Sequence, residues 1–236
     1  MCIRDRANTP LEPDRGGNPL LVPERVANLE AGLERQVPGG QWGVNTYLRR
    51  TRHFVERRTL WEAGRWVDRP YNEGDARHWG LELSAKLSGE HLLLLPLIGR
   101  QGSLRAQFTL PRGKVHDAVL GLTRAPRDLP RYTATLGYEG SVPAWQSTWG
   151  LQWQHLAAAR TQVPGEVAAR TRARNVVDAH WVRRLSPALN LRLSAQNLLG
   201  ADTWRTATSS QGGQGWALTS SERGQRTWML ALEGKW

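Results

Sequence analysis

The sequence predicts an all-β protein: an antiparallel, up-and-down transmembrane β-barrel, here an incomplete barrel of about nine strands. Three observations carry this prediction. Apolar and polar residues alternate with a period of two through short segments. The connections between these segments are alternately short and long. Aromatic residues, chiefly Trp, gather toward the segment ends, as in the aromatic girdles of membrane barrels.

Composition sets limits on the function. The 236 residues suffice for one β domain, and the longest apolar run, residues 92–98, is far shorter than the ~18 residues of a membrane helix. The net charge of +11 comes mostly from Arg side chains scattered between apolar positions, without a recognised nucleic-acid-binding motif, so nucleic acid is not an expected partner. The single cysteine, Cys2, excludes an internal disulfide.

The chain divides into three parts. Residues 1–8 differ in character from the rest of the chain and lack the apolar core of a secretory signal, so we interpret them as a non-native leader. Residues 9–24 are rich in Pro and Gly and have no period, which predicts a loop. Residues 25–236 contain the predicted strands.

The first predicted strand, residues 25–36, alternates small and apolar residues with polar ones. A tight hairpin turn at residues 37–40 leads to the second strand, which begins at Gln41. A long charged connection at residues 56–74 precedes the third strand, residues 75–87, where Trp, Leu and Ala again alternate with polar residues.

The apolar run at residues 92–98 predicts an extended turn, because Pro96 is unsuited to a central strand. The fourth strand covers residues 103–115. A loop at residues 117–130, with several Arg and Pro, leads to the fifth strand, residues 131–139.

The remaining four strands share the same alternation and cover residues 145–153, 173–184, 189–199 and 225–236. Their connections are predicted at residues 140–144, 158–172, 185–188 and 200–221. The last strand has Trp at both ends of its apolar face, which favours a membrane barrel over the edge strand of a soluble sandwich.

Five segments, in order along the chain, resemble the TonB-dependent outer-membrane receptors. They are Gly-Asn-Pro-Leu-Leu-Val-Pro-Glu at residues 17–24, the strand with a Gly-x-Glu core at residues 75–83, Leu-Pro-Arg-Tyr at residues 129–132, Asn-Leu-Leu-Gly at residues 197–200, and the aromatic residue Trp236. The resemblance covers nearly the whole chain and is carried by the order of the segments, since each alone is weak.

The resemblance implies a barrel of about 22 strands around a plug domain, of which this chain would supply the last nine. It implies a location in the outer membrane of a Gram-negative bacterium. It also places the short turns in the periplasm and the long loops, including the extracellular loop at residues 9–24, outside the cell. It also implies uptake of a scarce ligand, such as an iron–siderophore or cobalamin-like chelate, driven by the TonB complex, and no enzymatic activity. Plug, coupling box and signal sequence are missing from these residues, so the chain is expected to be a fragment.

The resemblance and the chemistry of the side chains suggest the site residues. The long connection at residues 56–74 offers cations and indoles suited to anionic or aromatic chelates, and we expect ligand contacts from Arg57, Arg58, Trp61, Arg65 and Trp66. Polar residues of the strands are expected to face the lumen; they are Glu30, Glu34, Arg49, Glu82, Lys86, Arg105 and Arg192. The resemblance further implies that the last strand meets the barrel-assembly machinery through Trp228, Leu230, Leu232 and Trp236.

No catalytic, cofactor-binding or metal site is expected. The six His residues are dispersed without metal-ligand spacing, and they are His53, His78, His91, His116, His155 and His180. The remaining expected partners are outer-membrane lipid and lipopolysaccharide.

Two alternatives stay open at this point. The first is a non-transporting outer-membrane barrel with a structural or adhesive role. The second is a soluble, basic β protein that binds nucleic acid. The second fits poorly because the rows of Trp and Leu would then form an exposed apolar patch.

Overall fold

The computed structural model describes residues 8–89, 102–211 and 213–234. The apolar run at residues 92–98, Trp236 and all of the expected leader except Asn8 lie outside these ranges. The described residues form β-strands joined by turns and loops, with a short 3-10 turn at Pro143–Trp145. Within them there is no helix long and apolar enough to cross a membrane.

In chain order, the strands are β1 (Asp14–Arg15), β2 (Arg25–Val37), β3 (Gly40–Glu62), β4 (Arg65–Ser88), β5 (Gly102–Asp117), β6 (Leu122–Arg124), β7 (Thr133–Val142), β8 (Ser147–Leu156), β9 (Ala159–Val163), β10 (Val167–Thr171), β11 (Arg174–Ser186), β12 (Leu189–Gln196), β13 (Thr203–Gln211), β14 (Gln214–Glu222) and β15 (Thr227–Gly234). The 3-10 turn, Pro143–Trp145, lies between β7 and β8.

Nine strands form one continuous antiparallel path, in the order β15-β12-β11-β8-β7-β5-β4-β3-β2. They correspond one to one with the nine strands predicted from the sequence, and each pairs with its neighbour along the predicted sequence. This confirms the up-and-down arrangement. Short turns join β2 to β3, β7 to β8 and β11 to β12 at one end of the path, which we call the turn end. The connections from β5 to β7, from β8 to β11 and from β12 to β15 are long and lie at the opposite, loop end. In the described residues β2 and β15 each have one neighbour on this path, so the sheet does not close.

The register places apolar side chains in rows across one face of this sheet. One row runs from Leu33 through Val44 and Leu83 to Phe108, and another joins Leu230, Leu193 and Trp181. Many of these side chains are exposed, for example Leu29 at 69% and Leu230 at 71%. A continuous exposed apolar face of this size is typical of the lipid-facing surface of a membrane barrel.

Aromatic side chains lie toward both ends of the apolar face. Near the turn end, Tyr138 packs against Trp149 with ring centroids 5.0 Å apart, and Trp149 opposes Trp181. Toward the loop end, Tyr132 stacks between Phe108 and His155 at 5.5 and 5.3 Å. Two aromatic zones that flank an apolar band are the arrangement predicted from the sequence.

The predicted connection at residues 56–74 is instead a continuation of β3 and β4. The two strands run on to a tight turn at Ala63 and Gly64, which both have positive φ, and pair residue by residue from Glu62 and Arg65. The sequence did not predict this extension because apolar side chains lie on both faces of the hairpin there, Leu60 opposite Val67 on one and Trp61 opposite Trp66 on the other, among charged residues, so the period of two is lost.

A second, four-stranded sheet forms at the loop end, in the order β14-β13-β10-β9. It is built from residues 158–172 and 200–221, which the sequence predicted to be loops. Its buried face consists of small residues such as Ala159, Thr161 and Ser209, with Val163 beside them. Large apolar residues on that face come from β14, where Leu218 opposes Ala207 and Trp216 opposes Ser209, so in the other three strands the alternation was too weak to predict strands.

Smaller differences concern the strand ends. Trp145 lies in the 3-10 turn rather than in a strand, because Pro143 begins that turn and Gln146 adopts a left-handed conformation. The strand predicted to reach residue 199 ends at Gln196. Asn197 has a φ of 51° there, and its backbone N–H donates to Asp178. Residues 9–24 contain only the short β1, which pairs in parallel with β4.

Candidate functional site

The β3–β4 hairpin carries all five residues expected to contact a ligand. Their surroundings differ from one residue to the next: some are exposed and one is buried. Trp61 and Trp66 oppose each other beside the turn, with ring centroids 5.1 Å apart and an edge-to-face geometry. Trp66 also contacts Trp216 of the second sheet at 5.8 Å. Trp61 remains 58% exposed, so it offers an open indole at the tip of the hairpin.

The arginines of the hairpin have protein partners. Arg65 forms an exposed ion pair with Asp14, with 3.2 Å between Nη1 and Oδ2. Arg57 donates from Nε to Asp68 Oδ2 at 2.5 Å and from Nη2 to the carbonyls of Asp68 and Gly16. These bonds hold the hairpin against the segment that contains β1, and half-exposed Arg57 still reaches solvent.

Arg58, by contrast, is buried. Its Nε lies 2.6 Å from Glu73 Oε1, and its Nη2 lies 3.1 Å from both carboxylate oxygens of Asp117. Glu73 and Asp117 are fully buried. Arg58 is therefore a structural residue that joins β3, β4 and β5 rather than a free cation at the surface.

Further charges extend this cluster across the loop end. Arg124 of β6 donates to Asp117 at 3.0 Å and to Glu56 at 2.6 Å. Arg127 donates to Glu56 at 3.3 Å and, through one nitrogen, to both oxygens of Glu166 at 2.9 Å. We call these residues the loop-end ion network; they are Glu56, Arg58, Glu73, Asp117, Arg124, Arg127 and Glu166.

The network fixes the long connections to one another. Glu166 lies in the turn between β9 and β10 and also accepts a hydrogen bond from the backbone N–H of Thr59 at 3.2 Å. Asp128 accepts from Arg205 of β13 at 2.6 Å and bonds Thr161 of β9. Residues 124–128 therefore connect the nine-stranded sheet with the second sheet, and the loop end forms one ordered layer.

The buried carboxyl groups of Glu73 and Asp117 both lie beyond the apolar band of the sheet. Their pKa values are shifted in opposite directions. Burial raises the pKa of Glu73 above its usual 4.5 and outweighs the attraction of Arg58. Its Oε2 is buried without a hydrogen-bond partner, and Arg124 Nη2 is 3.8 Å away. Burial alone would also raise the pKa of Asp117, but the backbone N–H of Leu120 and the guanidinium of Arg124 lower it below 3.8.

Sequence reasoning missed six of the seven members of this network. All six lie in segments that were predicted to be connections, where charged side chains are usually expected to be exposed to solvent. Bonded members are separated by as many as 71 residues, as Glu56 and Arg127 are. The only signal in the sequence is the density of Arg, Asp and Glu in the long connections, and it does not indicate which charges pair.

The residues expected to face the lumen share the polar face of the sheet. The register places Glu30 beside Tyr47, Glu82 beside Asn45, and Lys86 beside Arg105. This face is concave. Arg105 and Arg192 line a cavity of about 440 Å³, while Glu34 and Glu82 line a neighbouring one and Glu30 and Arg49 a third.

In β15, three of the four residues expected to meet the assembly machinery lie on the apolar face. Trp228 opposes Ala195, Leu230 opposes Leu193, and Leu232 opposes Leu191. In the part of the chain that the structure describes, no three His, Cys, Asp or Glu side chains are grouped so that they could hold a metal ion.

Comparisons with known proteins agree with this architecture. A family model described as TonB dependent receptor-like, beta-barrel matches residues 8–198. No curated protein matches the chain. Among solved structures, the "Copper transporter OprC" is 19% identical with a TM-score of 0.66; the match covers 92% of this chain and 32% of that one.

"The FrpB iron transporter from Neisseria meningitidis (F3-3 variant)" is 14% identical with a TM-score of 0.62, and the match covers 94% of this chain and 32% of that one. The chain thus spans about a third of the length of both structures. At these identities the likeness concerns the fold. TonB-dependent receptors are outer-membrane transporters of small ligands, not enzymes. The family match over most of the residues shows that the chain belongs to the TonB-dependent receptor β-barrel family.

Proposed function

We propose that this chain forms part of the wall and of the outer loop layer of an outer-membrane receptor that takes up a scarce metal chelate. The observation that supports this most is the two-faced sheet. Its apolar face suits lipid, and its polar, concave face suits a water-filled lumen that holds a plug. The ordered layer at the loop end then faces the outside of a Gram-negative cell.

The loop layer suggests the class of ligand. Trp61 presents an exposed indole, and the side chain of Arg65, on the other face of the same hairpin, is 62% exposed. An indole and a guanidinium suit a ligand that is aromatic, anionic or both, as iron–siderophore complexes are. The two similar structures are named as copper and iron transporters, which supports a metal-containing ligand. A cobalamin-like chelate is the other ligand of this class that we consider.

The proposed placement in the outer membrane also indicates the partners of the complete receptor. The complete receptor would be energised by the TonB complex. Its β15 strand, with Trp228, Leu230 and Leu232 on the lipid face, would be recognised by the barrel-assembly machinery, together with Trp236. The seven polar residues on the concave face would line the lumen against the plug.

The test uses the full-length gene that contains this chain. Energy-dependent uptake of labelled ferric siderophores, cobalamin and copper is measured in a deletion strain and in the complemented strain. We expect uptake of one chelate class to fall to background and to return on complementation. If uptake of every class is unchanged while the protein is found in the outer-membrane fraction, the protein is a non-transporting structural or adhesive barrel. A cytosolic protein that binds DNA with steep salt dependence contradicts the membrane placement itself.

A further inference from the structure

The loop-end ion network contains more acidic groups than basic ones. It has four carboxyl groups and three guanidinium groups, so it carries one net negative charge when every member is ionised. At most 21% of any of these seven side chains is exposed. Asp128 and Arg205, which adjoin the network, pair with each other at 2.6 Å and add no net charge. An uncompensated charge is costly at such depth, so the network is balanced when one carboxyl group holds a proton.

Glu73 is the carboxyl group placed to hold that proton. Its side chain is fully buried, and its Oε1 accepts a hydrogen bond from Arg58 Nε at 2.6 Å. Its Oε2 accepts no hydrogen bond from any residue that the structure describes. In the other three carboxyl groups of the network, both oxygens accept hydrogen bonds. A proton on Glu73 Oε2 therefore displaces no existing bond, and burial favours it there, since burial raises the pKa of Glu73.

Charged groups on three other strands surround this carboxyl group: Arg58 and Glu56 on β3, Asp117 on β5 and Arg124 on β6. Two of the carboxyl groups compete for Arg124, because its Nη2 lies 2.6 Å from Glu56 Oε2 and 3.8 Å from Glu73 Oε2. With a proton on Glu73, Arg124 stays bound to Glu56. Without that proton, a second buried carboxylate attracts the guanidinium and draws it toward Glu73.

A shift of Arg124 reaches the β9–β10 hairpin through Glu56 and Arg127. Arg127 makes two long bonds to Glu56, at 3.3 Å from Nε and 3.4 Å from its backbone N–H. It makes two shorter bonds of 2.9 Å to Glu166. When Arg124 leaves Glu56, this carboxylate attracts Arg127 more strongly and draws it away from Glu166. Glu166 then keeps only the bond of 3.2 Å from the backbone N–H of Thr59.

We propose that the loop-end ion network is a proton-operated latch for the tip of the β9–β10 hairpin, residues 163–167. With a proton on Glu73 Oε2 the network is neutral, Arg127 binds Glu166, and the tip is closed. When that proton passes to solvent, the network carries one negative charge and the tip opens. Glu166 is the member that moves because it lies in a turn, whereas Glu56, Glu73 and Asp117 lie within strands. The latch goes beyond the proposed uptake and does not depend on it.

The proton is bound more tightly in the closed form than in the open form. In the open form Arg124 lies beside the ionised carboxylate of Glu73 and stabilises it, whereas in the closed form it is bound to Glu56. Closure of the tip is therefore most favourable at low pH and weakens as the pH rises through the closed-form pKa of Glu73. Above that pH the equilibrium between the two forms becomes constant, because Glu73 is then ionised in both.

The experiment measures limited proteolysis of the full-length protein in detergent micelles from about pH 5 to about pH 9. Proteinase K cleaves throughout this range, and mass spectrometry identifies the cuts at the tip. Glu73→Gln keeps a neutral side chain at every pH. The matched control, Glu62→Gln, removes a carboxylate of the same β3–β4 hairpin that pairs with Arg69 outside the network. Rates are compared at equal pH, so the pH dependence of the protease cancels.

At the acidic end we expect the wild type and Glu73→Gln to be cleaved at nearly the same rate. At the alkaline end the wild type should be cleaved about tenfold faster or more, since one proton changes an equilibrium by up to about tenfold per pH unit. Glu62→Gln should follow the wild type. Glu166→Gln should be cleaved rapidly at every pH, because the bond from Arg127 that closes the tip is weakened.

Two results overturn the proposal. One is a ratio of wild-type to Glu73→Gln cleavage that does not change with pH. The other is a parallel rise of cleavage in the β3–β4 hairpin, which indicates general loosening of the loop layer.

A second measurement decides the case in which Glu73→Gln does not fold. Infrared spectra of the wild type should then show a carboxylic acid C=O band that disappears as cleavage of the tip rises. Cleavage that rises without loss of such a band overturns the latch. Because no step measures uptake, a failure here is distinct from a failure of the proposed transport function.

Discussion

Arg58 Nη2 lies 3.1 Å from both carboxylate oxygens of Asp117, although the two residues are 59 positions apart in the sequence. Both side chains are buried, and Arg58 Nε binds Glu73 at 2.6 Å on the other side. This arrangement joins β3, β4 and β5 at the loop end, so buried charge pairs help to hold the loop layer together.

Replacement of Arg58 tests this joint. Arg58→Gln leaves the carboxylates of Glu73 and Asp117 buried without their main cation, and we expect a loss of about 3–5 kcal/mol in the free energy of unfolding. The measurement is a urea titration of the full-length protein in detergent. Arg65→Gln is the matched control, because its ion pair with Asp14 is exposed and is expected to contribute at most about 1 kcal/mol. Equal losses in the two variants would contradict a special role for burial.

Glu73 and Asp117 are expected to differ in their pH dependence. A raised pKa means that ionised Glu73 opposes folding at pH 7, and that this effect disappears as the pH falls through the folded-state pKa toward 4.5. Glu73→Gln should therefore be at least as stable as the wild type at pH 7. The difference in the free energy of unfolding between the two proteins should vanish toward pH 4.5.

For Asp117 the sign is reversed. Its lowered pKa contributes stability that is fully present above 3.8 and is lost as the pH falls through the folded-state value. Asp117→Asn should therefore be less stable than the wild type at pH 7. This difference in the free energy of unfolding should become smaller only below pH 3.8. Unfolding curves at several pH values check both variants. If Glu73→Gln lost as much stability at pH 7 as Asp117→Asn, the network would require the negative charge of Glu73, against this prediction.

Glu166 is expected to keep the β9–β10 hairpin closed against the nine-stranded sheet. Glu166→Gln weakens the two charge-assisted bonds from Arg127, and such bonds contribute about 1.5–3 kcal/mol. We expect limited trypsin digestion after Arg160 and Arg170 to become about tenfold faster or more. Glu222→Gln, in an exposed position of β14, is the matched control and should digest at the wild-type rate.

The exposed indole of Trp61 separates ligand contact from stability. Trp61→Ala should raise the chelate concentration needed for half-maximal uptake at least severalfold, since a single cation–π contact contributes about 0.5–2 kcal/mol. It should lower the unfolding midpoint less than Trp66→Ala, because it removes one aromatic contact and Trp66→Ala removes two. Trp66→Ala should lower the midpoint, because Trp66 packs between Trp61 and Trp216. Trp145→Ala, an exposed indole at the turn end, is the control for uptake. Unchanged uptake in Trp61→Ala would remove this residue from the ligand site.

The sequence by itself determined the nine strands of the main sheet, their order and the face that each side chain takes. A strand with one face in lipid and one in water must alternate, and residues such as Leu29 and Glu30 record that alternation directly. Pairing then follows from the short turns, which leave neighbours along the sequence no other partner. For the same reason the concave position of Glu82 and Arg105 could be predicted.

Only the tertiary structure decided what happens at the loop end. Beyond the apolar band neither face of the β3–β4 hairpin meets lipid, and both faces mix charged with apolar side chains, so the extension leaves no period in the sequence. The second sheet packs through small residues such as Ala159 and Thr161, which carry little hydrophobic signal. An Arg in a charged connection looks solvated until its partner is known. Arg58 became a buried structural residue because folding brings Glu73 and Asp117, both distant in the sequence, within bonding distance, and pairing of this kind depends on three-dimensional proximity that no local pattern encodes.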